Sequence, residues 1–177
     1  MTGFYLFISS DDSNSIHQNN KYHDFIVELG RQYDLNEASY LRSRNRWSVA
    51  LVEIKLEDLA GFESPALPGE VLILCDLVST SYIKNTERRV LRLLGLTGSG
   101  QLASTYQPYY ITLDRTAFSN LKIQLVDKDL HPLTGSLVNQ PWKLSCTLHF
   151  QKTQKVQSTR RTLKGMKCSA QKQMGHL

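Results

Sequence analysis

The sequence predicts an all-β protein built as an antiparallel β-sandwich of eight strands. In several segments apolar and polar residues alternate with a period of two, which is typical of strands with one buried face. Other segments are short apolar runs rich in Val, Ile and Leu, which suit central strands covered on both faces. Turn-forming residues separate these segments, and no amphipathic pattern of helical length competes with them.

The first four strands are predicted at residues 4–8, 24–29, 47–56 and 71–78. The first is a short apolar run that ends at a polar, Ser- and Asp-rich loop. In the second, Phe, Val and Leu alternate with smaller or polar residues and share one side. The third and fourth are the near-continuous apolar runs, so we expect them at the centres of their sheets.

The last four strands are predicted at residues 90–94, 109–113, 121–127 and 142–151. The final one is the clearest, because its even-numbered residues are apolar and its odd-numbered residues are polar without a break. A glycine-rich loop and a turn separate these strands from one another. Only residues 114–120 suggest a short helical turn, for which Asp114 is a suitable N-cap.

Several connections between these strands are longer than a hairpin requires. Such lengths favour Greek-key crossing between two sheets over an up-and-down meander, and an eight-stranded double Greek key is a jelly roll. A chain of 177 residues is about the size of one domain. We therefore expect a single jelly-roll domain over residues 1–151 and a basic C-terminal tail over residues 152–177.

The net charge of +5 comes from the C-terminal tail. This tail holds seven of the 21 Lys and Arg residues and no Asp or Glu, which leaves 14 basic and 16 acidic residues in the rest of the chain. A basic tail on a near-neutral body predicts contact with nucleic acid or another acidic surface, and a plain solvated tail has the same composition. The candidate contact residues are Lys152, Lys155, Arg160, Arg161, Lys164, Lys167 and Lys172.

The sequence lacks the motifs that carry common enzyme chemistry, including nucleophile-elbow, P-loop, dinucleotide-binding and zinc-protease motifs. His149 follows Cys146 by three residues, so on a strand the two point to opposite faces and cannot share a metal. Cys75 and Cys146 occupy apolar strand positions and are predicted to be inert core thiols. His23 is expected to have a structural role, and residues 127–129 a turn rather than a calcium loop. We therefore predict a protein that is not an enzyme and has no cofactor and no metal.

Composition also bears on the compartment. The chain has three cysteines without C-x-x-C spacing, and it has no Asn-x-Ser/Thr sequon. Its first residues do not resemble a signal peptide, and no stretch approaches the ~20 apolar residues that span a membrane. These features predict a reducing compartment and no membrane partner.

Eight tyrosines, many in or beside predicted loops, are candidates for an interaction surface. Tyrosine is enriched at interfaces because it is large, stiff and partly polar, although the same residues equally line the rims of a sandwich. The candidate interface residues are Tyr33, Tyr40, Tyr106, Tyr109 and Tyr110.

Three segments, taken in order, resemble a known family. Residues 23–29 and 47–54 resemble an opening of the type F-x-V-x-L … W-x-V-A-L-x-E-I. Residues 71–94 contain Leu-Cys-Asp-Leu-Val and then Arg-Val-Leu-Arg-Leu-Leu, which is similar to a Y-x-x-C-D-I-V … L-L-R block. Residues 109–127, Gly135 and residues 144–150 resemble the pattern Y-x-P-L … F-x-x-I-x-I-x-I-x-D … G … V-x-L-H-F. This set is similar to the penton-like minor capsid proteins of Maverick/Polinton elements, adintoviruses and adomaviruses, which belong with the adenovirus-like DNA viruses.

The resemblance covers roughly residues 22–151 and implies a structural protein of a viral capsid. It implies a single jelly roll that forms homopentamers, or pentons, at the icosahedral vertices of the virion, next to the major capsid protein of the same virus. It also implies assembly in the nucleus or cytoplasm of the host cell, with viral DNA or a core protein as a partner of the basic tail. The chain has no Arg-Gly-Asp, so an integrin-binding insertion is not expected.

The residues leave a second class of function open, a non-enzymatic β-sandwich that binds a ligand or receptor. Such a module would be lectin-like or cytokine-like and would use its loops to bind sugar or a receptor. The cysteine pattern and the missing sequons count against an extracellular cytokine. No aromatic residue adjoins clustered carboxylates as a sugar site would require. A nucleic-acid binder acting through the tail and the basic run at residues 42–46 is a weaker third alternative.

Overall fold

The computed structural model describes residues 3–35, 46–58, 69–95, 107–133 and 142–153. These ranges contain strands and turns and no helix. The strands, in chain order, are β1 Gly3–Ser9, β2 Asp24–Asp34, β3 Arg46–Asp58, β4 Glu70–Cys75, β5 Ser81–Ile83, β6 Thr86–Arg88, β7 Val90–Gly95, β8 Ile111–Thr112, β9 Ala117–Asp127 and β10 Trp142–Thr153.

Eight of these strands form two four-stranded antiparallel sheets. The first sheet has the order β1-β10-β3-β8 and the second has the order β2-β9-β4-β7. Strands β5 and β6 form a separate hairpin, whose turn holds Lys84 and Asn85 at φ of 47° and 63°. Two consecutive residues with positive φ are the signature of the type I′ turn that suits a two-residue hairpin.

The two sheets share one hydrophobic core. Alternate residues of β9, namely Leu121, Ile123 and Leu125, are fully buried and contribute from the second sheet. Leu148 and Phe150 of β10 contribute from the first sheet and are equally buried. Alternation along each strand therefore turns one face of each sheet to this core, as the period of two predicts.

The prediction of an all-β chain with antiparallel sheets is confirmed, and two details of it are wrong. The predicted count of eight strands omitted β5 and β6, because residues 81–88 are mostly polar and show no apolar alternation. The predicted helical turn at residues 114–120 is instead a bend that leads into β9. Pairing with β2 decides this, since Phe118 lies opposite Tyr33 and Ala117 lies opposite Asp34.

The predicted boundary between domain and tail falls two residues inside the last strand. β10 continues to Thr153, and Lys152 lies opposite Trp47 of β3. Lys152 therefore belongs to the sheet and not to the tail. The other six candidate basic residues lie outside the described residues.

The strand orders give the two sheets a common pair of flanks. On one, the β1/β2 flank, Phe4 of β1 stacks on Tyr33 of β2 with ring centroids 5.5 Å apart. On the other, the β7/β8 flank, the segment that follows β4 reaches β8, where Ser79 N donates a hydrogen bond of 2.9 Å to Thr112 O. Each flank therefore carries one edge strand from each sheet.

Candidate functional site

Tyr33 lies inside an aromatic stack on the β1/β2 flank. Its ring is 5.5 Å from both Phe4 and Phe118, and the Arg31 guanidinium covers it at 4.6 Å from the ring centroid. The ring is only partly exposed, so most of its surface is used to hold the two sheets together. An Arg over an aromatic ring adds a cation–π attraction.

Tyr110 belongs to an aromatic row on the outward face of the first sheet. Its Oη shares a hydrogen bond of 2.6 Å with His149 Nδ1, and the His149 ring stacks on Tyr5 at 4.4 Å. Tyr5 and Ala50 are the cross-strand neighbours of His149, so the row runs across the sheet from β1. Burial and the neighbouring Tyr5 raise the pKa of Tyr110, so it remains a neutral hydroxyl at physiological pH.

Gly3 allows β1 to approach this row closely. A Cβ added at Gly3 would lie 2.6 Å from Phe150 O and 2.8 Å from His149 Nε2. The first contact is with β10 backbone, which cannot move without breaking its own pairing. Gly3 is therefore required by the packing of β1 on β10.

Replacing Gly3 with Ala is expected to lower the free energy of unfolding by about 1–3 kcal/mol, the usual cost of overpacking. Gly30 is the matched control, because a Cβ added there meets no atom within 4 Å. We expect Gly30→Ala to stay within about 0.5 kcal/mol of the parent protein. Urea denaturation of the three proteins measures the difference, and equal losses for both variants would contradict the close contact at Gly3.

Tyr109 lines a groove on the β7/β8 flank. The groove has a volume of about 540 Å³ and runs between β7, the β5–β6 hairpin and the start of β8. Tyr82, Leu93 and Tyr109 expose large apolar side chains along it. The opposite flank exposes Tyr5 and Phe7 on β1. Each flank therefore presents apolar surface. Of these exposed residues, only Tyr109 was among the interface candidates predicted from the sequence.

The candidate residues Tyr40 and Tyr106 lie outside the described residues, as do the candidate basic residues of the tail other than Lys152. Phe7, Tyr82 and Leu93 were missed, although Phe7 and Leu93 lie in the predicted strands at residues 4–8 and 90–94. Both residues belong to edge strands, and a period of two does not reveal which strand lies at an edge.

Both described cysteines are core thiols, as predicted. Burial raises the pKa of Cys75 to about 12 and also raises the pKa of Cys146 above its ordinary value. A thiol that stays protonated at neutral pH is a poor nucleophile and a poor metal ligand. The predicted turn at residues 127–129 is also confirmed, because Asp127 Oδ1 accepts hydrogen bonds from Asp129 N at 2.8 Å and His131 N at 2.9 Å.

His23 and Tyr22 form a buried pair just before β2. Within the part of the chain that the structure describes, neither His23 Nδ1 nor Tyr22 Oη has a hydrogen-bond partner. Burial lowers the pKa of His23; the neighbouring Asp24 opposes this shift, and Lys21 adds to it. Burial likewise raises the pKa of Tyr22. The structural role predicted for His23 therefore includes a cost of charging it in the folded state.

The free energy of unfolding is expected to fall as the pH is lowered through about 6.5, the ordinary pKa of histidine. Below that pH the unfolded chain binds a proton at His23 that the folded chain resists, so protonation favours unfolding. Replacing His23 with Gln should reduce this pH dependence. At pH 8 His23 is neutral in both states, so the difference in the free energy of unfolding between the two proteins at that pH measures only the loss of packing. Guanidinium denaturation from pH 8 to 5 gives the slopes, and equal slopes in both proteins would contradict the role of His23.

Comparison with known proteins adds no relative to this description. No known protein-family model matches the chain, and no curated protein matches it at a significant level. Among the residues described, no group of three or more His, Cys, Asp or Glu side chains is arranged to hold a metal ion. The described ranges also contain no helix long and apolar enough to cross a membrane.

Proposed function

We propose that this chain is a structural capsid protein, a single jelly roll that forms homopentameric vertices of an icosahedral DNA virus or virus-like element. The observation that carries the proposal is the strand pairing. With the β5–β6 hairpin set aside, the first strand pairs with the last, β2 with β9, β3 with β8 and β4 with β7. Pairing from the ends of the chain inwards is what a rolled antiparallel ribbon produces, and two such sheets in a β-sandwich make a jelly roll.

The distribution of exposed apolar side chains supports self-association. Soluble monomers seldom expose several large apolar residues together, and such patches usually mark interaction sites. Phe7 and Tyr5 are exposed on the β1/β2 flank, and Tyr82, Leu93 and Tyr109 are exposed on the β7/β8 flank. A ring of identical subunits needs two different contact surfaces on opposite sides of each copy. The two flanks meet that requirement.

Under this proposal the partners are four further copies of the chain and the major capsid protein of the same virus. The tail contacts viral DNA or a core protein, which is supported by the six basic and no acidic residues that follow Thr153. The protein resides in the capsid of the virion after assembly in the nucleus or cytoplasm of the host cell. It performs no catalysis and needs no cofactor, a proposal that the unreactive Cys75 and Cys146 support.

A second candidate function, a ligand- or receptor-binding β-sandwich, is favoured by one feature. A polar cleft of about 650 Å³ lies beside β2 and is lined by residues that include His17, Asn19, Lys21 and Lys122. Its volume is in the range of small-molecule sites, but most such sites are lined mainly by apolar side chains. The cleft is therefore weaker support than the strand pairing and the apolar flanks.

The test is the oligomeric state of the full chain, alone and with the major capsid protein, by native mass spectrometry and negative-stain electron microscopy. The expected result is a species of five 20.2-kDa chains and ring-shaped particles with five-fold symmetry. A chain that remains monomeric at high micromolar concentration in both conditions would overturn the capsid proposal and favour the ligand-binding sandwich.

A further inference from the structure

Two of the four sheet edges are capped by neighbouring groups. On β2, the Asn20 side chain bonds both main-chain groups of Ile26, at 2.9 Å to N and 2.8 Å to O. Ser13 Oγ accepts a hydrogen bond of 2.8 Å from Glu28 N further along the same edge. On β8, Thr112 O is capped by Ser79 N. These edges cannot accept another strand without losing those bonds.

The edge of β1 is open at Tyr5 and Phe7. Its last residue, Ser9, is capped, because Ser9 N donates a hydrogen bond of 2.6 Å to Asp12 Oδ2 and Ser9 O accepts one of 3.2 Å from Asp12 N. Ser10 N donates a hydrogen bond of 2.9 Å to Leu144 O, which sets the phase of the antiparallel ladder between β1 and β10. The even-numbered residues of β1 therefore bond to β10, and the odd-numbered residues face the open side. In that phase, Tyr5 and Phe7 turn their N–H and C=O groups away from β10, and no described strand or side chain pairs with them. Their side chains are 57% and 73% exposed. The whole strand, Gly3–Ser9, carries no charge that would discourage pairing.

The edge of β7 is open in the same way. Cys75 N donates a hydrogen bond of 3.0 Å to Arg89 O. Because every second residue of β4 faces β7, Ile73 and Val71 also turn their main-chain groups towards β7, opposite Arg92 and Leu94. With the observed register, Leu93 turns its main-chain groups away from β4, and no described strand pairs with it. The Leu93 side chain is 52% exposed. It lies on the groove that also exposes Tyr82 and Tyr109.

We propose that β1 of one copy adds as a strand to β7 of the next copy, along this groove. The inference rests on the proposed pentamer and names its contact. Main-chain hydrogen bonds of the added strand would satisfy both open edges, as in other cases of strand addition. Phe7 and Tyr5 project to one side of β1 and would cover the apolar side chains of the groove.

The occupant is a second copy because the two open edges match each other. β1 has seven residues and β7 has six, and the two strands lie on opposite flanks. With Phe7 opposite Leu93, antiparallel addition brings the turn that follows β1 towards the exposed Arg88, which precedes β7. This turn carries the exposed Asp12, whose Oδ2 already accepts a hydrogen bond of 2.6 Å from Ser9 N. Arg88 forms no ion pair with the described residues, so it is available to a carboxylate of the partner. One donor edge and one acceptor edge on each copy make the contact heterologous, which is the type that closes into a ring.

The experiment uses two variants of the full chain, Phe7→Lys and Leu93→Lys, each of which places a charge at one open edge. Both positions are exposed, so the fold is expected to survive, as circular dichroism and thermal unfolding will verify. Native mass spectrometry should show that each variant alone is a monomer, with the five-chain species lost. An equimolar mixture should form a complex of two chains and nothing larger. In that complex, the intact β1 of the Leu93→Lys copy meets the intact β7 of the Phe7→Lys copy.

Ile16→Lys is the matched control, because Ile16 is exposed on the loop that caps β2, and this variant should keep the five-chain species. If the parent protein forms pentamers and both edge variants still form them, the strand-addition contact is overturned while the proposed function stands. If Phe7→Lys alone prevents assembly, β1 pairs with another β1 and the inference is overturned. The parent protein could instead form an assembly with a number of chains other than five. If both edge variants abolish that assembly and their mixture restores a two-chain complex, the strand-addition contact is supported and the pentamer is not.

Discussion

Replacing Phe150 with Ala is expected to lower the free energy of unfolding by about 3–5 kcal/mol, the range for removing a large aromatic side chain from a core. Phe150 is fully buried on β10. Its ring is stacked 4.8 Å from Phe4 and 5.8 Å from Phe118, so it joins β1 of the first sheet to β9 of the second. The cavity would lie between the sheets, where backbone pairing prevents collapse. Guanidinium denaturation of the full chain measures the loss.

Ser145→Ala is the matched control on the same strand. Ser145 is on the outward face and partly exposed, so its replacement should change the free energy of unfolding by no more than about 0.5 kcal/mol. Thr147 is a poorer control, because it is nearly buried between Phe7 and Glu53 on the neighbouring strands. A Phe150→Ala protein as stable as Ser145→Ala would contradict the assignment of Phe150 to the shared core.

Ending the chain after Thr153 is expected to abolish its affinity for duplex DNA and to leave its folding unchanged. This truncation removes six of the seven tail cations and keeps the last strand complete, since Thr153 still pairs with Arg46. Contacts to phosphate release counterions, so DNA binding by the full chain should weaken with salt by a log–log slope of at most about −0.9 per phosphate contacted. Fluorescence anisotropy at several salt concentrations measures both effects, and thermal unfolding checks the fold.

The control for the truncation is Lys128→Gln, which removes one exposed cation from the body of the full chain. It should keep both the DNA affinity and the salt dependence of the parent protein. A truncated protein that binds duplex as tightly as the full chain at the same salt would contradict the role of the tail. A truncated protein that fails to fold would contradict the assignment of the domain to residues up to Thr153.

The spacing of apolar residues along the chain predicted most of the strands and which of their side chains are buried. The uninterrupted alternation at residues 142–151 assigned Phe150 to the buried face, and burial confirms it. The same alternation assigned Cys146 to the core, and Cys75 was assigned there because it lies within a near-continuous apolar strand. This reasoning failed in β5 and β6, where apolar and polar residues do not alternate. It also failed at the start of β9, where pairing with β2 forms a strand in place of the predicted helical turn.

The candidate tyrosines also show which features the sequence predicts and which the tertiary structure decides. The amino-acid type alone marked Tyr33, Tyr109 and Tyr110 as residues suited to an interface. Tertiary packing then separated them, with Tyr33 stacked between the two sheets, Tyr110 bonded to His149 and Tyr109 exposed on a groove. Their neighbours in space come from strands that are far apart in the chain. No pattern within one segment could have distinguished them.

Strand positions, buried faces and the separation of charge between body and tail follow from the order of residues, because each depends on side chains within a few positions of one another. Strand order is different. It depends on which distant segments pair, and only the folded chain shows that β1 joins β10 and β4 joins β7. Among the described residues, that order leaves Tyr5 and Phe7 of β1 and Leu93 of β7 without strand partners on their outer side, while β2 and β8 are capped. The surfaces on which the proposed assembly depends were therefore decided by tertiary structure.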